Sequence, residues 1–405
     1  MTPFRSAAFR WLWCSTLASS GAQQMERVAT AWLALQSGGD AFSVGLVFAA
    51  RSLPSLLLGL AAGTIADRID RRLQVLAVMG SALPLMAAIG QIVGAGTIHI
   101  GQVIVIALVA GCLQVFDTPA RQALVLDTAP RQGASNAMAL NALAARLSGA
   151  LGALTAGVLI PLIGVAHCYF VIAAAYGVSA GLVAVLRVPQ GSTVVIIHPP
   201  FGKALRDAAR LIVAVRAVRT LTISGIACEI FAFSYGSALP VLARDVLIAG
   251  PGGLGTLTAA VSLGGTIALA LLSLLRRRVR YEPLLGTVFV AYGASLLALA
   301  SVRSVAVAAA VLVVTGICAG AFDVLQQTLL QLAVPEQQRG RAAGIWVLSV
   351  GSAPIGNLEM GAAIAMLGVP GALLINGALT LVAATTLLAR APGYRWKLRA
   401  RSATD

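Results

Sequence analysis

Apolar runs of membrane-crossing length follow one another along almost the whole chain, separated by short polar turns. A helix needs about 20 apolar residues to span the hydrocarbon core of a bilayer. Roughly twelve stretches meet that length, at 10–36, 43–66, 73–95, 98–118, 136–161, 164–187, 219–243, 254–275, 283–301, 304–330, 341–366 and 369–390. The period-two alternation of a membrane β-barrel is absent, and Leu, Ala, Val and Gly dominate throughout. The pattern therefore predicts an all-α membrane protein with twelve transmembrane helices.

The turn between the second and third stretches stands out. It reads Gly63-Thr-Ile-Ala-Asp67-Arg68-Ile-Asp70-Arg71-Arg72, and only Ile69 interrupts the charges from Asp67 onward. A hairpin this polar sits at a membrane surface, because hydrocarbon offers charges no partner.

Composition supports the same class. Of the 405 residues, 59% are hydrophobic and 11% charged, where soluble domains carry about 25% charged residues. A net charge of +15 would ordinarily point to nucleic acid, but its placement argues otherwise. With the N-terminus inside, all but five of the 29 basic residues fall in cytoplasmic turns, linker or tails. Among them are Arg5, Arg10, Arg121, Arg131, Arg206, Arg210, Arg277, Arg278, Arg339, Arg341 and the tail from Arg390 onward. Only Arg244 and Arg303 fall outside, and Arg27, Arg51 and Arg146 lie within spans. The positive-inside rule accounts for this split, so the charge reports topology and no nucleic-acid partner is expected.

Arg5 and Arg10 before an apolar run, with Ser19-Ser20-Gly21-Ala22 within it, have the outline of a signal peptide. The run continues past Glu26 to Leu35, which favours a retained first span. The five cysteines are scattered singly and the three histidines lie apart, so neither a disulfide framework nor a metal site is expected. A P-loop is missing too: Gly202-Lys203 is followed by Ala204. No cofactor is expected, and energy would come from an ion gradient or a partner. A membrane enzyme would need convergent nucleophiles, metals or acid–base groups, which these residues do not supply.

The best internal boundary begins near Pro189 and continues through His198-Pro199-Pro200. From Phe201 the sequence reads as an amphipathic helix, with Lys203, Arg206 and Arg210 on one face and Leu205, Ile212 and Val215 largely opposite. Such a helix suits an anionic inner leaflet; an ordinary solvated linker is the plainer reading. Either side, the chain repeats weakly. Phe116-Asp117 recurs as Phe322-Asp323 and Arg71-Arg72 as Arg277-Arg278, each 206 residues later. The predicted organisation is an N-terminal six-helix bundle (1–190), a cytoplasmic linker (191–218) and a C-terminal six-helix bundle with a basic cytoplasmic tail (219–405).

The Gly63–Arg72 turn resembles the signature loop between helices 2 and 3 of the major facilitator superfamily. Further stretches resemble its branch of bacterial exporters, similar to the enterobactin (siderophore) exporter and related drug efflux pumps. These are Met25-Glu26-Arg27-Val28-Ala29, Arg51-Ser-Leu-Pro54, Phe116-Asp117-Thr-Pro119-Ala-Arg121-Gln122, Asn136-Ala-Met-Ala-Leu-Asn141 and Leu239-Pro240 through Leu247. The resemblance implies two parallel repeats with substrate bound between them. It also implies a proton-coupled exporter of a small organic metabolite, siderophore or drug, acting as a monomer in the bacterial inner membrane with both termini cytoplasmic. Gly63, Asp67, Arg68, Arg71 and Arg72 would brace the halves on the cytoplasmic side, joined by Asp117, Arg121 and Asp323. Two features depart from the pattern of drug–proton antiporters: helix 4 lacks their membrane arginine, and helix 5 carries Gly149, Gly152 and Gly157 in place of a Gly-Pro motif.

Six ionisable residues fall inside spans, where a charge costs about 2.5–3.5 kcal/mol on insertion scales and marks a functional candidate. Glu26 and Arg51 lie at similar depths, about 15 Å and 12 Å by helical rise, so the two can pair. The pair would couple protons to the cycle, or be a permanent structural bridge. Arg27 is a further candidate on the first helix. Arg146 and Glu229 come from opposite halves near mid-depth. Glu229 is the preferred proton carrier, since a carboxylate in a low-dielectric interior can neutralise itself with a proton. Arg146 would hold an anionic substrate. Glu359, near the outer end of helix 11, is a candidate gate residue. For each the plainer reading is a tolerated polar group facing water. An uptake permease or a transport-inactive sensor of the same fold fits the same residues.

Overall fold

The computed structural model describes residues 3–66, 69–129, 133–186, 201–275 and 280–390. Apart from turns, these residues are helical, with no strand among them. The chain runs through α1 (Ala7–Gln36), α2 (Ala41–Ala66), α3 (Arg71–Gly94) and α4 (Ile100–Thr128). Asp40 starts α2, accepting hydrogen bonds from the Ser43 amide and hydroxyl at 2.8 and 2.7 Å. Those bonds hold its carboxyl below the usual carboxylate range.

α5 (Ala134–Val185) is 52 residues long, well beyond one crossing. It is broken at Gly164, where φ is 81° and ψ is 163°, a conformation that favours glycine. α6 (Phe201–Ala214) is short. It precedes α7 (Arg216–Ala227), a π-helical segment over Cys228–Phe233, α8 (Tyr235–Val241) and a second π-helical segment over Leu242–Val246. Then come α9 (Gly250–Leu275), α10 (Tyr281–Ala300), α11 (Val305–Leu332), α12 (Arg339–Val350) and α13 (Ala353–Arg390). α13 is broken at Gly368, with φ 69° and ψ 170°.

Nine stretches among the described residues are long and apolar enough to cross a membrane. Two of them, Ala134–Val185 and Glu336–Leu388, contain the breaks at Gly164 and Gly368. α1 is outside that set. Its Ser15, Thr16, Ser19, Glu26 and Thr30 are buried within the protein rather than turned to lipid.

The helices fall into two groups by packing. In the first, α1 lies along α5, α2 packs on α4, and α3 packs on α4 and α5. Polar bonds pin α1 to α5: Ser15 to Ser179 at 2.8 Å, Trp13 Nε1 to the Leu140 carbonyl at 3.1 Å and Thr16 to Asn141 at 2.9 Å. In the second group α9 packs on α11, and α10 on α11 and α13.

Two seams join the groups, α5 against α9 and α2 against α13. In each, backbone meets backbone. A Cβ on Gly157 would stand 3.1 Å from the Gly255 Cα, and one on Gly45 would stand 2.8 Å from the Gly361 Cα. Small residues permit this approach, which supplies dispersion contact where lipid provides no hydrophobic driving force. Gly157 and Gly361 lie 204 residues apart, as do the breaks at Gly164 and Gly368. The weak sequence repeat thus extends to backbone geometry.

Two expectations change. Helix 4 does not stop near 118 but continues to Thr128, and Arg121 is buried instead of lying in a surface turn. Asp117, one turn earlier, meets that guanidinium with two hydrogen bonds at 3.0 Å, which offsets the cost of burial. The amphipathic helix is present as α6, but it packs on α7 and α12. Ala208 and Leu211 are buried there, and Asp207 pairs with Arg341 at 3.4 Å. The side chains of Lys203 and Leu205 lie outside the described residues.

Candidate functional site

A cavity of about 810 Å³ lies between the two groups of helices. Its size is that of a small-molecule site. Four charged side chains line it. Arg27 on α1 and Arg146 on α5 come from the first group; Glu229, in the π-helical segment after α7, and Asp323 on α11 come from the second. Aromatic surface is supplied by Phe48, Phe233, Tyr235 and Trp346, and amide groups by Gln23, Gln24 and Gln114. The cavity is therefore cationic on one wall, anionic on the other, and partly aromatic.

Local backbone explains two of these placements. Single-turn π-helical segments recur at functional sites, and Glu229 is the second residue of one. Arg146 reaches across the seam to α9, where its guanidinium occupies the space a Cβ at Gly265 would need. Asp323 is the anionic group whose field acts on Arg146.

Beside the cavity, Arg51 binds Glu26, with Nη1 at 2.7 Å from Oε1 and 2.5 Å from Oε2. Thr30 donates to the same carboxylate at 3.0 Å and lies 2.9 Å from the Tyr169 hydroxyl. Gln114 accepts from Arg51 at 3.5 Å. A void of about 10 Å³, bounded by Gln23, Arg51, Gln114, Asp117 and Tyr176, separates this pair from the Asp117–Arg121 pair. It has room for about one water molecule. Arg121 reaches on to Ser15 at 3.2 Å, so a polar seam runs through the interior of the first group.

The expected surface network takes a different form. Arg71 pairs with Asp127 at 2.8 and 2.9 Å, and Arg72 donates to the Val183 and Ala184 carbonyls at 3.1 and 2.5 Å. The expected partner, Asp117, is engaged by Arg121. Asp70 caps α3 through the Arg72 and Leu73 amides. Gly63 lies in the last turns of α2, while Asp67 and Arg68 lie outside the described residues. Asp323, the repeat counterpart of Asp117, faces the cavity. The position four residues on is Gln327, where the first repeat has Arg121, so the pairing arginine on its own helix is replaced by an amide. Glu359 lies apart from the cavity and accepts a hydrogen bond from Asn376 at 3.0 Å.

Sequence reasoning missed Thr30, Gln114, Tyr169, Asp127, Asn376 and the aromatic wall. Apart from Asp127, these are uncharged polar and aromatic residues, which are common in membrane helices, and nothing in their spacing distinguishes them.

A bundle of membrane-crossing helices in two groups around a charged central cavity defines a membrane transporter. The family model described as transmembrane secretion effector (MFS_3) matches residues 1–404. The chain belongs to that family of the major facilitator superfamily and is a multi-pass integral membrane protein. A curated relative, the staphyloferrin A transporter of Staphylococcus aureus (strain NCTC 8325 / PS 47), is 22% identical over 342 residues, covering 81% of this chain and 82% of that protein. Among solved structures, the nucleoside transporter NupG (a mutant) superposes with a TM-score of 0.75 at 14% identity, covering 94% of this chain and 99% of its own. A POT family transporter in complex with 5-aminolevulinic acid gives 0.76 at 11% identity, with 96% of both chains covered. At these identities the structural likeness establishes the fold. The family and its relatives are transporters, not enzymes.

Proposed function

We propose that the protein is a secondary active transporter that exports a small organic molecule by alternating access, coupled to protons. The observation that carries this reading is the cavity itself, whose charged residues come from both groups of helices. A site shared between two bodies is exposed to one side or the other as they rock. The nine stretches, with α1 added and the breaks at Gly164 and Gly368 each dividing one stretch, correspond to twelve crossings. In this reading the chain is two six-helix bundles, 1–190 and 219–405, joined by the linker that contains α6, and the two packing groups support it.

Export is favoured by the family description of secretion, and a siderophore-like cargo by the name of the curated relative. Glu229 carries the proton, since it lies in the cavity without an ion pair among the described residues. The Glu26–Arg51 pair and Asp117–Arg121 brace the first bundle, and the Asp67 turn braces the two halves at the cytoplasmic face. The protein works as a monomer in the bacterial inner membrane, with both termini in the cytoplasm.

The test is comparison of spent medium by mass spectrometry, under iron limitation, from cells with and without the protein. A compound enriched outside only when the protein is present supports export and names the cargo. A compound depleted from the medium instead would replace export with uptake.

A further inference from the structure

Of the two arginines in the cavity, Arg27 is the one that no acidic residue of the lining answers. Its neighbour Glu26 is held by Arg51. Arg146 lies in the field of Asp323, and Glu229 and Asp323 stand on the opposite wall. Arg27 makes no ion pair and no hydrogen bond among the described residues, and its Nε is buried without an acceptor. An ionisable side chain within a membrane-spanning helix faces a pathway, a partner or a site. Arg27 faces the cavity, beside Tyr235.

With Glu229 and Asp323 both ionised the lining is neutral; when Glu229 takes a proton the lining holds one net positive charge. We infer that Arg27 is the anchor for a carboxylate on the transported molecule, a role that rests on the central cavity being the transport site. The planar guanidinium fork matches a carboxylate by two parallel hydrogen bonds. The rest of the cavity describes the remainder of the ligand. Phe48, Phe233 and Trp346 accommodate an apolar or aromatic body, and Gln23 and Gln114 offer hydrogen bonds at its edge. The substrate class is an aromatic or otherwise amphiphilic carboxylic acid.

The test uses the purified full-length protein in lipid nanodiscs, with 2-naphthoate and its neutral amide as probes, read by calorimetry. The wild type is expected to bind naphthoate roughly tenfold or more tightly than naphthamide, since removing one partner of a buried charge pair costs at least that much. Arg27→Gln is expected to abolish the preference and Arg27→Lys to retain part of it. Equal or absent binding of both probes by the wild type, or a preference that survives in Arg27→Gln, overturns the inference. Melting of the ligand-free protein gives a second readout. Arg27→Met should melt no lower than wild type, because it removes an unpaired charge; a clear fall would make Arg27 a structural residue and overturn the assignment. Naphthoate counterflow in proteoliposomes separates this inference from the transport reading. Carboxylate preference without flux defeats transport and leaves the anchor standing, while flux without preference defeats the anchor alone.

Discussion

One guanidinium nitrogen of Arg51 reaches both oxygens of the Glu26 carboxylate, and the two side chains are 9% and 1% exposed. Removing either partner strands the other in a low-dielectric interior, at about 3–5 kcal/mol. Glu26→Gln and Arg51→Gln should each lower the melting temperature sharply. The double mutant should lose less than the sum of the singles, by a coupling of about 0.5–3 kcal/mol in a thermodynamic cycle. Strictly additive losses would show that the contact carries no coupling.

The seam at Gly157 and Gly255 leaves no room for a side chain, since a Cβ on Gly255 would stand 2.6 Å from the Ala153 carbonyl oxygen. Gly255→Val should cost about 1–3 kcal/mol of stability through overpacking and suppress transport while the protein still reaches the membrane. Flux at the wild-type level, measured beside membrane abundance, would show that the seam tolerates separation.

Glu229 is the carboxylate proposed to exchange protons with the cavity. Glu229→Gln should reduce flux driven by a pH gradient to the level seen without one, while substrate counterflow continues. Undiminished dependence on the gradient would move the coupling role to Asp323, the other acidic residue in the lining.

Asp67 is assigned its bracing role by resemblance and by its place in the charged turn. Asp67→Asn should abolish transport with insertion intact. Wild-type flux from this variant would leave the turn with a topological role only.

Thr97 lies in the exposed turn between α3 and α4. In a background with the five native cysteines replaced, Thr97→Cys should react with an impermeant thiol reagent added to intact cells. Protection in intact cells, with labelling after lysis, would invert the orientation.

Much of the helix layout is legible in the apolar runs, because a bilayer imposes a length and a polarity on each crossing. The expected span at 43–66 meets α2 at Ala41–Ala66, and 73–95 meets α3 at Arg71–Gly94. Asp117 and Arg121 are spaced to pair on one helix face, and they do, but the end of helix 4 is misplaced because charges are expected to stop a span. Only their spacing as a self-satisfying pair lets the helix carry them inward. Three of the cavity charges, Arg27, Arg146 and Glu229, are visible as ionisable residues inside spans, whereas Asp323 reads as part of the cytoplasmic network. Which of them lacked a counter-ion depended on contacts between distant segments, such as Arg51 reaching Glu26 and Asp323 facing Arg146, which one-dimensional spacing does not encode. The π-helical turn at Glu229 also left no mark, since Cys-Glu-Ile-Phe-Ala-Phe reads as ordinary helix.

The two glycine crossings have a mechanical consequence. Gly45 and Gly255 lie in the second turns of α2 and α9, and their partners Gly361 and Gly157 lie shortly before the breaks at Gly368 and Gly164. Both crossings therefore sit toward the same end of the bundle, and with backbone against backbone neither has side chains that can yield. In the proposed rocking motion a line through them is a natural fulcrum, and everything toward the opposite end is lever arm. Over a hydrocarbon thickness of about 30 Å, a tilt of roughly 10° about that line would displace the far helix ends by about 5 Å. Four hydrogen atoms in place of four side chains would thus set where the pivot lies and how far the opposite face can swing.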